Sequence, residues 1–84
     1  MNIKFDEIHV FWREDIKHWC ARSLVGDYGI SEDREYAYNC AKDAFLSNGS
    51  YKKVVIHRQD GAVELTIIRA SGEPSSQLFQ DSVP

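Results

Sequence analysis

Three residues near the N-terminus carry the chain's most obvious chemistry: His9, His18 and Cys20. Imidazole nitrogen and thiolate sulfur are both zinc ligands, and a tetrahedral site needs three or four of them converging. A strand places His18 and Cys20 on one side, because side chains two apart share a face. The spacing is nonetheless unlike the C-x-x-C or H-x-x-x-H pairs that hold zinc, so no metal site is expected. Cysteine beside histidine also raises nucleophilic catalysis, in which an imidazole holds a thiolate. No third orienting group or oxyanion donor accompanies the pair, Cys40 falls on the apolar stripe of a helix, and no glycine-rich phosphate loop is present. The reading is therefore of a chain without catalytic residues and without a cofactor. A third pairing, His57 opposite Glu64, is read as a cross-strand surface pair.

The elements that position these groups follow from hydrophobic periodicity. Residues 51–72, YKKVVIHRQDGAVELTIIRASG, contain Asp60-Gly61 between two β-rich runs, which predicts a hairpin with a type I′ turn. A two-residue loop pairs Gln59 with Ala62, Arg58 with Val63, His57 with Glu64, Ile56 with Leu65, Val55 with Thr66 and Val54 with Ile67. A first hairpin is expected from Ile8–Arg13 and Ile16–Val25 around Glu14-Asp15. An even-length loop there puts Ile8, Val10, Trp12, Trp19 and Ala21 on one face and His9, Phe11, Arg13, His18, Cys20, Arg22 and Leu24 on the other. Residues Gly26 to Gly29 read as a connector. Ser31 or Asp33 then caps a helix running to about Ser47, with Ala37, Cys40, Ala41, Ala44 and Phe45 on one stripe and Asn48-Gly49 as a left-handed exit. The expected fold is α+β, a ββαββ unit with a four-stranded, mainly antiparallel sheet and one helix on one face. It spans residues 1–72 as a single domain, with 73–84 a flexible tail whose Leu78 and Phe79 are able to fold back over the open sheet face.

Certain of these features resemble a family of short bacterial proteins catalogued only as a domain of unknown function. The shared pattern comprises Trp19-Cys20-Ala21, the acidic helix start Glu32 to Glu35, Ala37 with Ala41 and Ala44, Gly49-Ser50, and the Val54-Val55-x-x-x-x-Asp60-Gly61 hairpin, over about Ile8 to Leu65. The layout is also similar to HicB-type antitoxins and to small phage-encoded inhibitors of host defence, including anti-CRISPR proteins. The resemblance implies the fold and, by analogy of layout, occlusion of a host complex by a phage or mobile-element product or an antitoxin-like, nucleic-acid-associated role.

Composition narrows the partner. With 84 residues there is one core and little room for a deep cleft, and a net charge of −3 provides no overall basic field for a phosphate backbone. Two cysteines are too few for a disulfide framework, the start MNIKFDEIHV has no signal-peptide layout, and no apolar run reaches the roughly 18 residues that span a bilayer. A cytoplasmic protein without membrane contact is expected. The sheet face opposite the helix mixes Phe11, Leu24, Val55 and Ile68 with Arg13, Arg22, His18 and His57, a composition suited to protein contacts. Those eight residues are the expected binding set for a protein partner or for a second copy in a dimer. Single-stranded nucleic acid is the alternative, with Phe11 and the imidazoles stacking on bases and Arg13, Arg22, Lys52 and Lys53 meeting phosphates.

Overall fold

A computed structural model describes residues 2–69; the proposed tail lies outside them. Five strands and one helix follow in the order β1 (Glu7–Arg13), β2 (His18–Ser23), β3 (Gly26–Ser31), α1 (Arg34–Ser47), β4 (Lys53–His57) and β5 (Val63–Ile68). The sheet order is β3-β2-β1-β4-β5, with β1 and β4 parallel and the other neighbours antiparallel. The α+β class and the single helix are as expected, whereas the strand count and the pairing are corrected. The segment read as a connector is β3, whose glycines and aspartate disguise it: Gly26 adopts φ +154° and the register slips between Ala21 and Arg22. The sheet is mixed because the chain leaves β3 at one edge and returns through the helix to the far side of β1.

The first hairpin has the expected parity. Ile8 to Arg13 pair with Ser23 to His18, and four residues close the loop. Lys17 enters the left-handed region at φ 57° and its N–H donates to the Arg13 carbonyl at 2.7 Å. The second hairpin keeps Val54–Ile67, Val55–Thr66 and Ile56–Leu65, but His57 faces Val63, not Glu64, across a bulge. Only Gly61 is left-handed there, at φ +98°; its N–H reaches the Arg58 carbonyl at 2.9 Å and the Arg58 N–H reaches Ala62 at 2.7 Å. This is a three-residue loop ending in a bulged glycine, which needs one positive φ where the predicted type I′ turn needs two. The proposed Gln59–Ala62 and Arg58–Val63 partners are displaced accordingly.

Asp33 caps α1, its carboxylate accepting from the Glu35 N–H at 3.0 Å. The exit differs from the expected left-handed cap: Asn48 is extended, with its N–H on the Ala44 carbonyl. The last turn has no basic residue of its own. Arg69, just beyond β5, supplies the charge by donating to the Phe45 carbonyl with its guanidinium 4.3 Å from the Phe45 ring centre.

The helix packs on Ile8, Val10, Trp19, Ala21, Val54 and Ile56 through Ala37, Ala41, Ala44 and Phe45. Its small side chains allow close approach. The limit is reached at Gly29, where a Cβ would lie 2.6 Å from Cys40 Sγ and 2.8 Å from its Cβ. The preceding residue of β3, Tyr28, meets Tyr51, their hydroxyls 2.6 Å apart.

Candidate functional site

The sheet face away from the helix is built by the alternate residues of β1, β2 and β4, and two different environments share it. Toward β2 and β3 it is half-open. Phe11 stands opposite Cys20, and the Arg22 guanidinium lies 5.8 Å from the Phe11 ring centre. Each cation on the face has a carboxylate of its own. Arg13 holds Asp15 through two contacts of 3.2 and 2.6 Å, Arg22 Nε is 2.6 Å from Asp27, and Lys53 Nζ is 3.5 Å from Glu7. Cys20 is fully buried, its thiol 3.5 Å from Asp27 Oδ1, and burial followed by the nearby Asp27 charge pushes it up to about 11. It is an inert thiol rather than a nucleophile.

Toward β4 the face closes over a polar chain. Glu7, His9 and His57 are each 7% exposed. Glu7 Oε1 is 3.0 Å from His9 Nε2, His9 Nδ1 is 2.9 Å from His57 Nε2, and His57 Nδ1 is 3.1 Å from the Gly61 carbonyl. The two rings are stacked, with centres 5.1 Å apart. The hydrogen bond from His9 draws the Glu7 carboxyl below its ordinary range against the opposing effect of burial. The parallel β1–β4 pairing makes this chain by bringing residues 48 apart in sequence into contact.

The eight expected contact residues therefore divide. Leu24, in the β2–β3 turn, and Ile68, on the outer strand, are each 63% exposed. Phe11, Arg13, His18 and Arg22 are half-buried, and Val55 and His57 are buried at 7% each. His18 is turned to its own turn, its Nδ1 2.7 Å from the Ile16 carbonyl. His9, His18 and Cys20 thus have separate partners, and among the described residues no group of three or more His, Cys, Asp or Glu is placed to hold a metal ion. The His57–Glu64 pair is replaced by two others. His57 meets His9, while Glu64 reaches the helix side and takes both Arg34 guanidinium nitrogens at 3.0 Å.

Sequence reasoning missed Glu7, and the available signal was its i, i+2 spacing from His9 on a strand. It also missed a shallow cleft of about 220 Å³ beside the helix N-terminus, lined by Arg34, Glu35, Tyr38, Ile56, Glu64 and Leu65. No described helix is long and apolar enough to cross a membrane. Comparison with protein-family models, with curated proteins and with solved structures finds no match to this chain.

Proposed function

We propose that the chain is a non-enzymatic binding module that takes a protein partner on the sheet face opposite the helix. The observation that carries this reading is the internal neutralisation of that face: Arg13, Arg22 and Lys53 are each matched by Asp15, Asp27 and Glu7. A phosphate backbone is bound by cations free to replace its counterions, and cations already paired within the protein suit it poorly. The paired Arg22 instead lies over Phe11, and Leu24 and Ile68 stand exposed, so apolar side chains and satisfied charges occur together, a composition suited to protein interfaces. Val55 and His57 lie buried in the β4 part of the same face, and Phe11, Arg13, His18, Arg22, Leu24 and Ile68 make the contact.

The test is affinity capture from lysate with the wild-type chain and with Phe11→Ala and a Leu24→Asp/Ile68→Asp double variant, at about 0.1 and 0.5 M salt. A protein that is captured at both salt concentrations and lost with each variant, while the variants keep their melting temperatures, supports the reading. Capture of nucleic acid that washes off at high salt would replace it with the nucleic-acid role. Equal capture by all three chains, or a wild-type chain that only dimerises through this face, would overturn it.

A further inference from the structure

The buried chain from Glu7 to Gly61 fixes its own proton count. The Gly61 carbonyl only accepts, so His57 Nδ1 carries a hydrogen. The ring-to-ring contact, at 2.9 Å, needs one hydrogen, on either His57 Nε2 or His9 Nδ1. The contact between His9 Nε2 and Glu7 Oε1, at 3.0 Å, needs one more. That makes three. A carboxylate and two neutral imidazoles carry two between them, so the chain of contacts is complete only with one proton added. Any arrangement with two leaves lone pairs facing each other at hydrogen-bond distance in a place where water scarcely reaches, which costs about as much as an unsatisfied buried polar group.

We propose that Glu7, His9 and His57 act as one unit that binds a single shared proton and uses it to clamp the β4–β5 hairpin onto β1, releasing the clamp as pH rises. The groups around the unit favour this charge state. Lys53 faces Glu7 Oε2, and the main-chain N–H of Lys4 donates to Oε1 at 3.3 Å, so the carboxylate stays ionised and the added proton resides on the rings. Arg22, opposite His9 on β2, is matched by Asp27. On β5 the residues opposite His57, Val55 and Lys53 are the neutral Val63, Thr66 and Ile68. In the hairpin loop Asp60 is turned to the Ala62 N–H. A fourth proton has one open position, Glu7 Oε2, where it breaks the contact with Lys53. The inference stands apart from the docking reading, since it requires no partner.

Glu7→Gln separates this from an ordinary hydrogen-bonded cluster. A glutamine amide donates to His9 Nε2; His9 then donates from Nδ1 to His57, and His57 from Nδ1 to Gly61. The three contacts along the chain are then made with two neutral rings, at the loss of the acceptor for the Lys4 N–H, so the variant has no need of the added proton. The experiment is nitrogen-15 NMR of the histidine ring nitrogens from about pH 5 to 9, with His18 as internal comparison, together with melting temperature at each pH. Three ring N–H groups on the His9–His57 pair near pH 6 are expected in the wild-type chain, with a fall in melting temperature of roughly 5 °C between pH 6 and 8. In Glu7→Gln the fall disappears and His9 carries its hydrogen on Nδ1. Two neutral rings at pH 6 in the wild-type chain, or two rings that titrate independently of each other, would overturn the proposal even if the variant failed to fold.

Discussion

His9 Nδ1 and His57 Nε2 lie 2.9 Å apart across the parallel β1–β4 pair, although 48 positions separate them in sequence. Their contact ties the only parallel junction of the described sheet by side chains as well as by main chain. Its far end rests on Glu7, and the first expectation concerns that carboxylate.

Glu7 is held below its ordinary range chiefly by the hydrogen bond from His9. A carboxyl lowered in the folded state stabilises the fold above its unfolded titration range, and that contribution is lost as pH falls through the folded one. Glu7→Ala removes the acceptor from a buried imidazole and should cost about 1–3 kcal/mol at pH 7. Urea denaturation at pH 7 and pH 3 checks this: the gap between wild type and variant should shrink at the lower pH.

Cys20 should resist modification. With its thiol pushed up to about 11 by burial and by Asp27, almost none is thiolate at pH 8. A disulfide reagent at that pH should label Cys20 only as fast as the chain opens. Rapid labelling of Cys20 in the folded protein, located by mass spectrometry of its peptide, would contradict the placement.

Gly29 is required for space rather than for backbone freedom. A methyl group there meets Cys40 Sγ at 2.6 Å, so Gly29→Ala must push α1 away from β3. The expected loss is about 1–3 kcal/mol, the usual cost of overpacking. Cys40→Ala removes the nearer atom but leaves its Cβ. The double variant should therefore be more stable than the sum of the two single losses predicts, by denaturant unfolding.

Tyr28 should titrate late. Its hydroxyl is raised above the ordinary tyrosine range first by the hydrogen bond to Tyr51 and then by burial. Tyr51→Phe should bring the Tyr28 titration, followed by ultraviolet absorbance, back toward lower pH at a cost of about 1 kcal/mol in stability.

Much of this arrangement was legible in the sequence, for physical reasons that also explain the rest. The alternation in β1 and β2 specified both faces of the first hairpin because parity fixes them once the loop length is even. The Asp33 cap and the alanine stripe located α1 to within a residue or two. What escaped was set by tertiary context. Gly26, Asp27 and Gly29 carry turn signals, yet they belong to an edge strand, in which Gly29 leaves the room that the close approach of Cys40 requires. Asp60-Gly61 signals a hairpin correctly, but local residue types do not distinguish a type I′ turn from a bulged three-residue loop. That one-residue difference moved His57 from Glu64 to Val63. The His9–His57 contact was invisible because it depends on strand order, which no short-range pattern encodes.

The position of β1 also bears on how the chain emerges during synthesis. β1 lies at the centre of the sheet, flanked by β2 and β4. The strand on one side follows within a few residues, while the strand on the other begins only at Lys53. A nascent chain that has completed β1, β2 and β3 can form a meander, but the other edge of β1, carrying Ile8 and Val10, has no mate until the helix has been made. Unpaired strand edges recruit other chains. The order of elements therefore places the greatest hazard of self-association early in translation, and the arrival of residues 53–57 ends it by converting an edge into an interior.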